Sequence, residues 1–220
     1  MDLPKYPRTF HIEGSKGIEE SEAIPFSELQ GKPLVIEEKM DGSMVSICFD
    51  NSGTLHIRHR NQEVRGTEFD LMKSWVAKRL DQLFDLLEDR YVMYGEWLFA
   101  RHTITYNLLP DYFLEFDIFD RQENHFLSTV RRKQILQGQP IHSVHVLDNW
   151  RYRRKSDVVQ WAEGPSAFGM GHKEGLYIKI EDDGVVQRRY KYIRKEFTDA
   201  IQKAGKHWSE LPFVQNQLKT

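Results

Sequence analysis

The sequence predicts an α+β protein built mainly from antiparallel sheets flanked by helices. Three observations predict it. Short runs of apolar, β-branched and aromatic residues recur along the chain, each bounded by Asp, Asn or Gly. Several successive runs are separated by turn-length spacers such as Asp41-Gly42 and Asp182-Asp183-Gly184, too short for the crossover that parallel strands require. Long helical periodicity is sustained only over 69–87.

In chain order, residues 1–30 are rich in Gly, Ser, Pro and Glu and read as a loop-rich segment laid across the domain. Within it, Gly14-Ser15-Lys16-Gly17 lacks the spacing and strand-to-helix context of a phosphate loop. Residues 33–36 read as a strand and 44–49 as the next, with Asp41-Gly42 as a hairpin turn joining them. Asp50-Asn51-Ser52-Gly53 turns the chain into a strand over 55–60. Thr67-Glu68-Phe69-Asp70 looks like a variant capping box, and Phe69, Met72, Val76, Leu80, Leu83 and Leu87 predict one helix continuing to Arg90 over a sheet face. Residues 91–97 are a strand by composition, interrupted at Gly95-Glu96, where a bulge or close ligand approach is expected.

A loop over 99–110 carries Arg101 and His102 as a positive end suited to meeting substrate, although a histidine satisfied within its loop is the commoner case. Residues 112–120 alternate as a half-buried strand with Phe113 and Phe119 in the core. A serine-capped helix over 128–137, a strand over 141–147 and a helix over 156–162 follow. The glycine-rich stretch 164–171 is a flexible approach to a strand over 174–179, and Asp182-Asp183-Gly184 turns the chain back through 185–192. Phe197, Ile201 and Trp208 predict a short helical end over 195–220.

With 220 residues, 40% of them hydrophobic, the chain suffices for a single domain over 1–220 with a sizeable core. No apolar leader follows Met1 and no apolar run reaches membrane-spanning length, so a soluble cytoplasmic protein is expected. The single cysteine, Cys48, excludes an internal disulfide and a cysteine zinc cluster, and reads as a small buried hydrophobe. A net charge of −2 speaks against an indiscriminate polyanion binder. Basic residues are nevertheless bunched at 131–133, 151–155 and 188–191, and the last two clusters interleave tyrosine, as phosphate contacts with stacking require. For 131–133 a solvated helix face is the plainer reading.

The stretch Glu37-Glu38-Lys39-Met40-Asp41-Gly42-Ser43 is hard to explain as packing. A hairpin needs Asp-Gly but no lysine framed by acids. A free lysine, with pKa about 10.4, is an attacking amine in only about one molecule in two thousand at pH 7. A lysine nucleophile therefore needs burial, nearby cations or a metal. The end of a buried strand supplies a groove, and Asp41 stands close enough to help place magnesium; a solvated lysine on a surface hairpin is the alternative. Glu96, flanked by aromatics, is costly to bury unless paired or bound, and a ribose hydroxyl is one fitting partner. A salt-bridged strand end is the other. Along 174–179, Leu176 and Ile178 share one strand face while Tyr177 and Lys179 share the opposite one.

Lys39-Met40-Asp41-Gly42-Ser43 resembles the K-x-D-G-S nucleophile motif of the covalent nucleotidyltransferases, the superfamily of ATP-dependent RNA and DNA ligases and mRNA guanylyltransferases. His59-Arg60-Asn61 is similar to the S-R-N element of the ligases, Tyr94-Gly95-Glu96 to Y-G-E and Phe116-Asp117-Ile118 to F-D-I. Glu174 to Lys179 matches E-G-x-x-x-K, and Arg189-Tyr190-Lys191 resembles K-x-K, with Arg189 keeping the charge but not the shape. Their collinear order makes the resemblance specific. Met44 stands where DNA ligases carry arginine, and Tyr190-Lys191-Tyr192 is a poor fit to the guanylyltransferase ending. The serine form of the first motif and Phe116-Asp117-Ile118 look most like ATP-dependent RNA ligases.

The resemblance implies a nucleotidyltransferase (adenylation) domain of the ligase type, with ATP and Mg2+ or Mn2+ as cofactors. It implies Lys39, Lys179, Lys191 and Glu174 as catalytic residues. It assigns nucleotide contacts to Glu38, Arg60 (Arg58 if the register slips), Glu96, Phe116, Lys179, Lys191 and Arg189. Metal contacts fall to Glu174 and, through water, Asp41. Lys191 is expected to depress the pKa of Lys39 by charge repulsion. The implied reaction adenylates Lys39, passes AMP to a 5′-phosphate end and joins that end to a 3′-hydroxyl. The expected partner is RNA, as nicked duplex or RNA/DNA hybrid, bound weakly by a monomer. Only about thirty residues follow Lys191, too few for an OB-type domain, so end binding is expected to rely on residues 151–155 or on a partner protein. A minimal DNA nick-sealing ligase and a non-catalytic nucleic-acid-binding relic are the alternatives, and the intact set Lys39, Glu96, Glu174, Lys179 and Lys191 speaks against the relic.

Overall fold

The strands on either side of Asp41-Gly42 form as the pattern predicts, but they enter different sheets and never pair with each other. The computed structural model describes residues 5–59, 62–66, 69–148, 154–205 and 210–219. After a short β1 (Phe10–His11) come β2 (Leu34–Lys39), β3 (Ser43–Phe49), β4 (Leu55–His59) and β5 (Gln62–Glu63). Helices α1 (Asp70–Ala77) and α2 (Leu80–Leu87) precede β6 (Tyr91–Trp97), β7 (Phe113–Asp120) and β8 (His125–Phe126). Next are α3 (Thr129–Ile135), β9 (His142–Ser143), β10 (Val146–Asp148) and α4 (Lys155–Glu163). The last described elements are β11 (Gly175–Asp182), β12 (Val185–Ile193) and α5 (Lys195–Ala204).

Among the described residues, one sheet runs β1-β12-β11-β2-β10 and the other β5-β4-β3-β6-β7-β8, with β9 beside β7. Only β1 on β12 and β9 on β7 are parallel pairings there. This is the predicted α+β class. The chain crosses from sheet to sheet at residues 40–42 and again at 144–145. Asp41-Gly42 is therefore a corner, not a hairpin turn. The physical reason is the apolar pattern on each side of it. Leu34 and Ile36 bury with Leu176, Ile178 and Val158 of α4, whereas Val45, Ile47 and Phe49 bury with Met72, Val76 and Leu83 of α1 and α2. One hairpin cannot serve two separate cores. The strand predicted over 141–147 is divided for a similar reason into β9 on one sheet and β10 on the other.

The helix predicted to continue to Arg90 is two helices. Arg79 leaves helical geometry at φ −120°, its guanidinium lies 4.2 Å from the Trp75 ring centre, and it bonds Asp111 at 3.0 Å. The proposed cap at Thr67-Glu68 lies outside the described residues. At the other end, α5 stops at Ala204 against Gly205 at φ +63°, a left-handed cap that glycine adopts readily. The C-terminal segment is thus helical only in its first part. Residues 211–219 have no helix and bond to the 98–109 loop, while Trp208 lies outside the described residues. Cys48 is buried, as expected. No described helix is long and apolar enough to cross a membrane.

Between the sheets lies a layer of buried ions. Arg132, 2% exposed, reaches Glu37 at 2.6 Å and Glu115 at 3.0 Å. Lys179, 0% exposed, reaches Glu37 at 2.8 Å and Asp117 at 3.1 Å, and Arg189 reaches Asp117 at 3.1 Å. The layer ties β2, β11 and β12 of one sheet to β7 of the other. It also corrects the reading of 131–133 as a solvated face, since Arg132 turns inward from α3 to meet carboxylates that would otherwise be buried unpaired.

Candidate active site

Lys39 is the last residue of β2, opposite Gly175 at the start of β11. Gly175 is pressed so closely by β12 that a Cβ there would lie 1.9 Å from the Tyr192 carbonyl oxygen. A side chain at that point would force the strands apart. Their closeness brings Glu174 to the lysine, whose Nζ is 2.8 Å from both carboxylate oxygens. The Lys39 side chain is 27% exposed and borders two cavities.

The first cavity, about 420 Å³, is of nucleotide size. Phe116 and Tyr177 form an aromatic wall, with ring centres 6.1 Å apart, and Glu96, Lys39 and Lys191 give it its charge. Phe116 reaches this wall through the bulge expected near Gly95. Tyr94 pairs with Asp117 and Gly95 with Glu115, leaving Phe116 as the unpaired extra residue. At Gly95 a Cβ would lie 2.3 Å from the Phe113 ring, so the bulge needs glycine. The second cavity, about 530 Å³, lies against Asp41, Glu174, Arg101 and His102, with Phe197 and Ile201 of α5 on its far side. The predicted positive loop end therefore meets Lys39 from that side.

The electrostatics favour cations. Burial lifts Glu96 to about 8 against the opposing pull of Lys39, and Glu174 and Asp41 add to the rise. Glu174 is lifted to about 7 by burial, again against Lys39. Burial alone would lower the Lys39 pKa, but Glu174 and Glu96 outweigh it and the net shift is upward. The expected depression by Lys191 is thus not what this structure shows, because the lysine is neutralised by carboxylates before any phosphate arrives. Burial, with Lys39 second, instead lowers Lys191. His11 falls to about 4 through burial and the cations Lys191, Lys39 and Arg8.

Of the residues predicted for the site, Lys39, Glu96, Phe116, Glu174 and Lys191 are brought together. Glu38 borders the cavity, but its carboxylate is taken by the Ser166 hydroxyl at 2.5 Å and the Ala167 amide at 2.8 Å. Asp41 faces the second cavity, with Oδ2 accepting the Thr103 and Ile104 amides at 2.8 Å each. Lys179 and Arg189 line neither cavity. Both lie in the ion layer behind Phe116, and Lys179 donates to the Phe116 carbonyl at 2.5 Å. Arg60 lies outside the described residues, and Arg58, on β4 between Ser46 and Glu63, is away from the cavity wall.

Sequence reasoning missed the opposite wall. Tyr6, Arg8, Thr9 and His11 line the cavity because β1 lies along β12, with His11 opposite Lys191. The Tyr6 hydroxyl bonds Asp117 at 2.5 Å and also the Tyr177 hydroxyl, and Thr9 reaches the latter at 3.1 Å. A two-residue strand has no periodicity to read. Ser15 of the discounted glycine stretch bonds His11 at 2.7 Å and the Ile193 amide at 2.9 Å, a tight buried turn rather than an anion loop.

The family model for RNA ligase matches residues 32–193. Among solved structures, that of Naegleria gruberi RNA ligase with PPi superposes with a TM-score of 0.68 at 21% identity, covering 91% of this chain and 60% of that one. A variant of the same enzyme with ATP and Mn gives 0.65 at 18%, covering 91% and 60%. A second variant with ATP and Mn gives 0.61 at 19%, covering 80% and 53%. The chain spans between 53% and 60% of the length of these three structures, and at such identities the likeness is one of fold. No curated protein sequence matches.

Proposed function

The chain belongs to the RNA ligase family, and on that premise we propose that it is an ATP-dependent RNA ligase whose Lys39 carries AMP between ATP and a 5′-phosphorylated RNA end. The observation that carries the proposal is the seating of Lys39. Its amine lies at the edge of a nucleotide-sized cavity with Lys191, Glu96 and the Phe116–Tyr177 wall, and it is held at 2.8 Å by Glu174.

In this reading the adenine lies against Phe116 and the ribose reaches Glu96, which puts the α-phosphate at Lys39 and Lys191. Attack by the Lys39 amine forms a bond from nitrogen to phosphorus and breaks the bond to the pyrophosphate oxygen. The proton on Nζ has the Glu174 carboxylate as its nearest acceptor. Lys191 stabilises charge on the phosphate oxygens. A phosphate next to Lys39 competes with Glu174 for the ammonium, so substrate itself loosens the resting ion pair.

A hard divalent cation, Mg2+ or Mn2+, fits the donor set. Asp41 adds to the rise of both Glu174 and Glu96, and Glu174 to that of Glu96, so three carboxylates gather around one lysine amine. Glu174 would hold the ion, with Asp41 contributing through water from the second cavity. When bound, it neutralises charge on the transferring phosphate. AMP then passes from Lys39 to the RNA 5′-phosphate, and a 3′-hydroxyl displaces it. The net charge of −2 supports weak RNA binding.

Incubation with α-labelled ATP and a divalent cation tests the proposal. Wild type should take up label that survives denaturation and alkali but not acid, as a phosphoramidate does, and Lys39→Ala should take up none. Absence of label in wild type, or label retained in Lys39→Ala, overturns the reading.

A further inference from the structure

Among the described residues 210–219, Asn216 alone is buried. Its side chain accepts the Tyr106 amide at 2.9 Å and donates to the Leu98 and Ala100 carbonyls at 2.8 and 3.4 Å. Its own amide donates to the Phe99 carbonyl at 3.0 Å. Around it, the Arg101 amide donates to Val214, the Gln217 amide to Tyr106 and the Lys219 amide to Leu109, at 2.8, 2.9 and 2.8 Å. The stretch is a strap laid along the 98–109 loop, and Asn216 is its rivet. Both ends of its amide are satisfied, as a buried amide requires.

The other edge of the same loop holds the lysine motif. The Tyr106 hydroxyl, fully buried, accepts the Asp41 amide at 2.9 Å, and the Thr103 and Ile104 amides hold the Asp41 carboxylate. Tyr106 also packs with Met40, the residue between Lys39 and Asp41. A continuous run of hydrogen bonds therefore leads from Asn216 through Tyr106 to the corner at which the chain leaves β2 for β3. That corner sets the direction of the Lys39 side chain.

We propose that Asn216 is a positioning residue for Lys39: by locking the 98–109 loop it fixes, through Tyr106 and Asp41, the line along which the lysine amine approaches its phosphorus. The inference rests on the reading of Lys39 as the carrier of AMP. In-line displacement is sensitive to placement, and an error of about 1 Å costs on the order of a hundredfold in rate. Ground-state binding of nucleotide falls to Phe116, Glu96 and Lys191, none of which belongs to the loop or to the strap.

The test uses the full chain and two variants, Asn216→Ala and Tyr106→Phe. Three quantities are read: single-turnover labelling of Lys39 at saturating ATP, equilibrium binding of an α,β-methylene ATP analogue, and Tm. Each variant should label at least tenfold more slowly while binding the analogue within about twofold of wild type. The double variant should be no slower than the slower single one, because both cut the same run of bonds. Should Asn216→Ala fail to fold, Tyr106→Phe, which keeps its ring, decides alone. Wild-type labelling in a folded variant, or a joint fall of rate, analogue affinity and Tm, overturns the inference. If wild type itself takes no label, the reading of Lys39 fails instead.

Discussion

Replacing Lys179 by methionine distinguishes a lysine that contacts phosphate from one that holds two sheets together. Its Nζ lies 2.8 Å from Glu37, 3.1 Å from Asp117 and 2.5 Å from the Phe116 carbonyl, with the side chain fully buried. Methionine keeps most of the volume of the stem but removes a cation shared by two buried carboxylates. Breaking a buried pair in this way costs about 3–5 kcal/mol. Arg132 still reaches Glu37 at 2.6 Å and Arg189 still reaches Asp117 at 3.1 Å, which places the expected loss at the lower end, about 3 kcal/mol. For a chain of this length that is a fall in Tm of roughly 6–12 °C. Thermal and urea unfolding of wild type and Lys179→Met measure it, and Lys39 labelling well below the variant's Tm should stay within a few-fold of wild type. An unchanged Tm with labelling abolished would refute the structural assignment and restore Lys179 to the phosphate.

Two other outcomes follow from the site. Burial raises Glu96 from 4.5 to about 8, so across that window the folded chain keeps a proton that the unfolded chain releases, and stability falls as pH rises. Glu96→Gln removes this liability: its Tm gain over wild type, without nucleotide, should be near zero at pH 4 and largest above pH 8, and a gain independent of pH would contradict the assignment. Gly175→Ala puts a methyl where a Cβ meets the Tyr192 carbonyl at 1.9 Å, and should cost about 3 kcal/mol in urea unfolding while slowing Lys39 labelling; a variant with wild-type stability would show that β11 and β12 have room to separate.

Strands and site residues were legible to different depths. Runs such as 43–49 and 91–97 show themselves by composition, and the bulge was announced by Gly95 within an aromatic strand. Lys39, Glu96, Phe116, Glu174 and Lys191 stood out as polar or aromatic residues in an ordered set of motifs. A sequence shows that a chain turns but not which partner waits beyond the turn, so the corner at Asp41-Gly42 looked like a hairpin. Strand alternation correctly placed Tyr177 and Lys179 on one face. It could not show that the tyrosine fronts the cavity while the lysine, one pleat further, lies beneath Phe116 among carboxylates. Arg132 was hidden in the same way, because a basic run on a helix looks solvated until Glu37 and Glu115 are folded against it. Asn216 carried no local signal, since every bond that buries it is made to a loop distant in sequence.

The chain passes between the sheets twice, and ions bridge the gap it crosses. A jaw hinged at this seam would have to drag Arg132 and Lys179 away from Glu37, Glu115 and Asp117 in a medium of low polarity, with both connecting threads pulled taut. The cleft is consequently a mould and not a clamp. Residues 6–11 close the other side of the cavity, and they are tied to the same seam, since the Tyr6 hydroxyl bonds Asp117 and β1 lies along β12.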